Sequence, residues 1–311
     1  MGNHLEKPEE ILKGIEASHF VKKLRKAIIK DNHGVCQRES QSRVILDNRI
    51  RLKPVEELMH SYYRFIWNSN FSSPVEQKLQ SGANVLDLEC GFGQWLIDLC
   101  NEYQACDYVG IDYEGNFQSQ NNVPKNLKFR KHNILNGIPY EDNTFDFIHM
   151  QIMMNSFTDA EWKTLIVPEI FRVCKPGGWI EIMDSDYEVF NIGPKTGFYY
   201  QMCKNELSEI INAISSNLNQ LQDIMNGYQE LGFTIIKEKI SAWYPIHPQN
   251  SDETFEIVPE ILNSLYPFMS NSSEFKINRA DYTKLSQQII KEIADNKSYS
   301  KTYRMITQKH L

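Results

Sequence analysis

Two acids and a glycine turn, followed by a third acid, mark the part of this 311-residue chain equipped for chemistry. Asp87 and Glu89 stand two apart in the apolar run "NVLDLE". Gly91 and Gly93 follow at once in "CGFG", and the helix-patterned "GQWLIDLCNEYQ" overlaps them. Glycines at this spacing let the backbone bend sharply and approach a ligand closely. The amide groups that open the next helix point at the same place and suit a polar or anionic group. Asp112 ends the next apolar run, "YVGID", about 20 residues past the glycines, where a ribose-binding acid stands in nucleotide folds. The chemistry implied is the cradling of a nucleoside-bearing cofactor.

Three cofactor classes compete for this turn. A dinucleotide site needs a third glycine, and Leu96 occupies that position, which weakens NAD or FAD. A phosphate loop of the GxxxxGK type is absent from the chain. S-adenosylmethionine has no pyrophosphate, so it needs no third glycine, yet it still needs an acid for its ribose hydroxyls. Glu89 raises a separate question. The first residue after a strand is expected to stay near-extended with negative φ, so the backbone tolerates glutamate there. Its carboxylate either pairs with a cofactor ammonium, blocks the pocket, or points to solvent.

The elements that position these residues alternate. "NVLDLE", "YVGID", "NLKFRKHN", "FDFIHMQIM" and "WIEIMD" read as strands, separated by helical patterns such as "DAEWKTLIVPEIFRVC", which "KPGG" ends. Strands alternating with helices predict an α/β fold with a mainly parallel sheet. Upstream, "PVEELMHSYYRFIWNSNF" has helical spacing, and Pro74 opens a second helix that Ser72 or Ser73 caps. Downstream, a helical stretch runs from about Phe198 to Glu230, "TIIKEKISAWYPI" is a strand, and helices follow near Asp252–Tyr266 and Arg279–Asn296. "SKTYRMITQKH" is β-prone, with Tyr303, Met305 and Thr307 on one face and Arg304 and Ile306 on the other.

Four segments in this order resemble the class I S-adenosylmethionine-dependent methyltransferases: "VLDLECGFG", "VGIDY", "KHNI" before "PYEDNTFDFIHM", and "LIVPEIFRVCKPGGWIEIMD". The likeness is close from Asn84 to Asp184 and looser to the C-terminus. It is nearest to fungal methyltransferases that include regulators of secondary metabolism. The upstream leucine–proline–acid element and Asp-Arg pair of that group are missing, and of its pattern "RVILDNRIRLKPVEELMH" keeps little beyond His60. The resemblance implies a Rossmann-like seven-stranded, mainly parallel sheet, its seventh strand antiparallel between the fifth and sixth, with helical N-terminal and C-terminal additions. It implies S-adenosylmethionine as cofactor. Asp87, Glu89, Gly91 and Gly93 would surround its methionyl part. Asp112 and Tyr113 would take the ribose, Asn133 and Ile134 the adenine, and Met150 and Gln151 would flank the sulfonium.

Methyl transfer from a sulfonium is an in-line displacement with a good neutral leaving group, so alignment supplies much of the catalysis. A base is needed only for an acceptor that starts protonated. No catalytic residue is therefore assigned. His60, Tyr62, Tyr63, His149, Asp184 and Asp186 are candidates to line the acceptor pocket, with His149 read first as a structural histidine. Phe190, Tyr199, Tyr200, Tyr266 and Phe268 favour an apolar or aromatic small molecule, or else close a core. Trp95, Trp162 and Trp179 read as core or interface residues.

Composition bounds the partners. A net charge of -7 argues against a general nucleic-acid binder. Lys22, Lys23, Arg25, Lys26 and Lys30 form a local basic patch, read as a solvated helix face. The six cysteines show no CxxC pair, no metal spacing and no disulfide framework, so reduced thiols in a cytoplasmic or nuclear setting are expected. No 18-residue apolar run spans a membrane. Residues 1–53 read as a polar, partly disordered extension, and residues 54–311 as the methyltransferase domain, with a helical insertion at about 247–297 as an acceptor lid. A small-molecule acceptor is expected. A regulatory protein acting through a protein partner, and a pseudoenzyme weakened by Glu89, are the alternatives.

Overall fold

The computed structural model describes residues 53–115, 117, 123–153, 156–185, 188–206, 231–242, 257–270 and 277–311. The basic patch, Cys36, Asp186 and residues 207–230 lie outside these.

Seven strands form one sheet: β1 (Asn84–Leu88), β2 (Asp107–Asp112), β3 (Leu127–Lys131), β4 (Phe145–Gln151), β5 (Cys174–Ser185), β6 (Leu231–Ala242) and β7 (Tyr299–Lys309). Their order is β3-β2-β1-β4-β5-β7-β6. The first five are parallel, and β7 runs antiparallel to both β5 and β6, as the family resemblance implied. The helices are α1 (Lys53–Trp67), α2 (Glu76–Ser81), α3 (Gln94–Glu102), α4, α5 (Pro194–Glu206), α6 (Ile257–Ser270) and α7 (Arg279–Asn296). α4 is a composite of Asp159–Glu161, a π-helical turn Trp162–Ile166, and Val167–Val173. A capping box between Thr158 and Glu161 starts it, as the sequence pattern allows.

The central strands are apolar on both faces because helices cover both. One face, with Leu86, Leu88, Ile111, Ile148, Met150 and Ile182, packs on Trp162, Ile170 and Phe171 of α4. The other, with Val85, Tyr108 and Phe147, packs on Leu79 of α2 and Trp95, Leu96 and Leu99 of α3. A third cluster joins Tyr62, Tyr63 and Trp67 of α1 to α5, α6 and α7, touching the sheet at Met183.

Two local expectations need correction. Ser72 and Ser73 do not cap a helix. α2 begins at Glu76 with Val75 at its N-cap position and no side-chain cap. Both serines instead turn to the buried carboxylate of Glu181 on β5. Ser72 N–H donates at 3.0 and 2.9 Å, Ser73 N–H at 2.7 Å and Ser73 Oγ at 2.6 Å. A buried carboxylate needs several donors, and this segment supplies them. Likewise "KPGG" lies within β5 rather than ending a helix. The β4–β5 register jumps from Phe145↔Cys174 to Phe147↔Trp179, so Lys175 to Gly178 bulge out, and Lys175 meets Asp146 at 2.7 Å.

Glu181 also faces Arg304 on β7, with Nε 3.4 Å from Oε1, and both residues are buried. Arg304 donates to Ser69 Oγ, Ser72 Oγ and Ser69 O at 2.9, 3.1 and 2.8 Å, and lies 4.7 Å over the Trp67 ring. Burial pulls the guanidinium down to about 10, against the pull of Glu181. The ion pair thus pins residues 69–73, which carry the chain from α1 across the sheet.

Candidate active site

The site forms where β1, β2 and β4 end. Beyond Leu88 the chain turns through Glu89 at φ 57°, Gly91 at φ 55° and Gly93 at φ 80°. The expectation of a negative φ at Glu89 is overturned. Three successive turns of the backbone at one strand end leave the residue in the left-handed region, which costs a side chain energy that glycine escapes. Glu89 is also buried, so the solvent-facing reading fails with it. At Gly93 glycine is required twice. Its φ is left-handed, and a Cβ there would lie 2.3 Å from the Phe129 ring.

Asp112 closes β2 and is 1% exposed. Its Oδ2 accepts the Gly91 N–H at 3.0 Å and its Oδ1 the Glu114 N–H at 2.8 Å. Tyr113 is half-buried beside it. Asn133 is half-buried, and its Oδ1 accepts the Leu135 N–H at 3.0 Å, capping a short helical turn. Ile134 and Met150 are in the core cluster, while Gln151 is half-buried at the end of β4.

Asp87 points to the α3 face, 1% exposed, and pairs in register with His149 of β4. Its Oδ1 lies 2.8 Å from His149 Nδ1. The imidazole is 2% exposed and stacks on Trp95 with ring centres 3.8 Å apart and planes 4° apart. The Trp95 N–H donates to Asn70 O at 2.8 Å, which fixes the stack. Oδ2 of Asp87 has no hydrogen-bond partner among the described residues. Burial raises the Asp87 carboxyl above the ordinary range, and the His149 charge and hydrogen bond oppose this. The sequence left His149 as a structural histidine and Trp95 as a core residue. Only the parallel β1–β4 register shows that they form one unit with Asp87.

Beside this unit is a cavity of about 10 Å³, room for about one water, lined among others by His60, Tyr63, His149, Gln151 and Met183. His60 Nε2 is 2.9 Å from Asp98 Oδ2 of α3, which Arg64 also meets at 2.7 Å. Tyr63 OH is 2.6 Å from Ser185 Oγ, and burial pushes its phenol up to about 12. Asp184 accepts the Met153 and Ser185 N–H groups. At the end of β4, Ile152 takes φ 55°, with its N–H on Met183 O at 2.8 Å. A β-branched residue in the left-handed region is strained, a condition concentrated at functional sites.

The aromatic residues offered for an acceptor divide. Tyr62 donates to Ala242 O, Tyr199 OH meets Tyr282 OH at 2.9 Å, and Arg279 lies over Tyr266 at 4.4 Å. Phe190 stacks on Tyr299. These rings close the helical core and its edge rather than face open space. Tyr200 is half-buried. The Phe268 side chain lies outside the described residues. Among the described residues no group of His, Cys, Asp and Glu could hold a metal ion, and no helix is long and apolar enough to cross a membrane.

A sheet of this order with an antiparallel seventh strand, and an acid–glycine turn answered by an acid at the end of β2, defines the class I methyltransferase architecture. Residues 85–178 match the family described as "Methyltransferase domain". Among curated proteins it is 30% identical over 174 residues to the secondary metabolism regulator laeA of Aspergillus fumigatus, covering 54% of this chain and 44% of that one. It is 29% identical over 168 residues to the sterol 24-C-methyltransferase erg6 of Schizosaccharomyces pombe, covering 47% and 43%. The chain spans about half the length of the curated relatives it matches. Among solved structures, the Haemonchus contortus phosphoethanolamine N-methyltransferase 2 in complex with S-adenosyl-L-methionine aligns at 16% identity and TM-score 0.48, covering 89% and 61%.

Proposed function

We propose that this chain is an S-adenosylmethionine-dependent methyltransferase acting on a small molecule. The observation that carries the reading is Asp112, which ties the glycine turn to the end of β2 and stands where ribose hydroxyls are received. The residues present fit the cofactor. Asp87 has a buried oxygen in want of a donor, which an ammonium supplies. When bound, the cofactor contributes an activated methyl group on sulfur. The chain's own residues do the rest: Gly91 and Gly93 shape the turn, Asp112 and Tyr113 hold the ribose, Asn133 and Ile134 border the adenine, and Met150 and Gln151 border the sulfur. Glu89 stands at the methionyl end.

Residues 54–311 work as the methyltransferase domain, with residues 1–53 as an extension. The insertion the sequence marks at about 247–297 is the acceptor lid, and its described helices α6 and α7 share a core with α1 and Met183 and hold the acceptor near Gln151 and Met183. Tyr63, with its phenol pushed upward, is a hydrogen-bonding rather than a proton-abstracting group near neutral pH. The compartment is cytoplasmic. Calorimetric titration with S-adenosylhomocysteine tests the reading. Saturable binding that Asp112→Ala weakens supports it, and no binding at about millimolar ligand refutes it.

The likeness to laeA favours a second reading, a regulator that works through a protein partner. Affinity capture from native extract, with and without S-adenosylmethionine, separates the two. The first requires radiolabelled methyl to appear on a small molecule.

A further inference from the structure

Neither the basic run at residues 22–30 nor an open trench between α1 and α3 has a part in the proposed methyl transfer. We propose that this trench is a docking surface for a basic segment of polypeptide, and that its occupant is the chain's own residues 20–30, bound in cis.

The trench has a volume of about 770 Å³. α1 forms one wall, residues 69–74 the floor, and Glu76 of α2 with Asp98 and Glu102 of α3 the other side. Asn70, Ser73 and Tyr103 in it are buried, while Phe65, Glu76 and Glu102 are exposed. A hollow with exposed walls suits a stretch of chain more than an enclosed small molecule.

Three features set the chemistry of the occupant. The first is charge. Arg64 on the α1 wall is engaged with Asp98, which His60 also meets. Glu76 and Glu102 make no ion pair among the described residues. Burial, then the charge and hydrogen bond of Glu102 and the charge of Glu76, push the Tyr103 phenol up to about 12, so both acids converge on that end of the trench. Residues 20–30 carry Lys22, Lys23, Arg25, Lys26 and Lys30 and no acid. The second feature is an acceptor. Asn70 is 6% exposed, and its Oδ1 has no hydrogen-bond partner among the described residues. A lysine ammonium lowered to the floor supplies the donor, with its apolar stem along the wall. The third is an apolar rim. Phe65 is 37% exposed, and Phe71 is half-buried. Phe20, Leu24 and Ile28 recur every four residues among the cations and match it.

Connection favours the cis occupant. Residues 31–52 join the segment to Lys53, the first residue of α1. They can span at most roughly 70 Å, and Phe65 lies only about 18 Å along the helix from Lys53. A linker that spans the gap gives its occupant an effective concentration of about millimolar, so contacts too weak to hold a free partner keep the trench filled.

The experiment is crosslinking of the full chain with a water-soluble carbodiimide, which joins a lysine amine to a carboxylate as an amide with loss of water. An equal mixture of light and isotope-labelled chains separates cis from trans, because a crosslink within one chain never pairs the two labels. The expected result is same-label crosslinks from Lys22, Lys23, Lys26 or Lys30 to Glu76 or Glu102, reduced about fivefold or more between roughly 0.05 and 0.5 M salt by screening. Phe65→Ser leaves every lysine and acid in place and lowers their yield about threefold or more at an unchanged melting temperature. A second measurement uses a fluorescein-labelled peptide of residues 18–30. It binds a full chain whose Lys22, Lys23, Arg25, Lys26 and Lys30 are changed to glutamine about tenfold or more tightly than the wild type, where the trench is already filled. Adding Phe65→Ser removes that gain. Crosslinks that pair the two labels assign the trench to a second copy and overturn the proposal. No crosslink from the segment to Glu76 or Glu102, or equal peptide binding by the wild type and the glutamine variant, overturns it as well. None of these results bears on S-adenosylhomocysteine binding, so the cofactor reading stands or falls separately.

Discussion

Replacing Glu181 by glutamine removes one charge from the middle of the sheet and keeps the side-chain volume. In the wild type that carboxylate accepts from Ser72 N–H, Ser73 N–H and Ser73 Oγ, and faces Arg304 at 3.4 Å, with both partners of the pair buried. The guanidinium keeps its bonds to Ser69 and Ser72 and its place over Trp67, but loses its counter-charge. Leaving one member of a buried pair uncompensated costs about 3–5 kcal/mol. Against a total stability of roughly 5–15 kcal/mol, that is about a fifth or more of the whole. In a domain of this size each kcal/mol moves the midpoint by about 2–4 °C, so Glu181→Gln should melt roughly 6–20 °C lower. Urea titration gives the same quantity directly. The pairing argument adds a second requirement: Arg304→Met must cost far less in the Glu181→Gln background than in the wild type. A loss below about 1 kcal/mol, or equal costs for Arg304→Met in both backgrounds, refutes the view that this pair pins residues 69–73.

The cofactor turn, the last strand and the α1–α3 contact each yield a further expected outcome. Asp112→Ala should weaken S-adenosylhomocysteine binding by about 1–3 kcal/mol, the worth of charge-assisted hydrogen bonds, and unchanged affinity in a folded protein sinks the ribose assignment. Glu89→Gly should gain about 1 kcal/mol of stability or more by relieving a left-handed glutamate, read from the urea midpoint; if the wild type fails to bind S-adenosylhomocysteine while this variant binds it, the chain is a pseudoenzyme. Removing residues 299–311 should abolish cooperative melting, since β7 bridges β5 and β6, and an unchanged melt would make the segment a tail. Asp98 gives a pH signature. Burial opposes its ionisation, but the His60 hydrogen bond and the His60 and Arg64 charges hold it below the usual carboxylate range. A depressed acid stabilises above its unfolded value of about 4 and loses that contribution as the pH falls through the folded value, so Asp98→Asn should lower stability near neutrality and not in strong acid.

The parallel half of the sheet was legible because β1, β2, β4 and β5 carry apolar runs and β3 an alternating one, separated by turn or helix signals. The place of β7 came from the family likeness, since its alternation is blurred by helices on both faces. What escaped was everything set by contacts distant along the chain. Ser72 and Ser73 look like caps because a serine before a helix is a local signal, and only the sheet brings Glu181 to them. His149 looks structural because an isolated histidine in an apolar run carries no sign of a partner. Its link to Asp87 is a fact of register between β1 and β4. Glu89 departs from expectation for a geometric reason. A strand end predicts extended backbone, and the tightness of the turn after it overrides this. The glycine turn after β1 and the acid at the end of β2 that bonds to it were visible from spacing, whereas the buried pair beside them was not.

Arg304 lies on the last of the seven strands, and this gives assembly of the site an order in time. Among the described residues β6 pairs with β7 alone, and β7 joins β5 across the stretch from Ser185 to Tyr299. Closing so long a loop is slow, because its entropy is spent before the pairing is gained. A growing chain can lay down β1 to β5 with one flank of β5 still bare, and β6 then emerges with no strand to join. Until β7 arrives, Arg304 is missing and residues 69–73 lack its hydrogen bonds to Ser69 and Ser72. Asn70 in that segment fixes Trp95, and Trp95 fixes His149. The sheet and the ligand site are therefore completed in one late event. A chain stalled before it would carry an open sheet edge and a loose imidazole together.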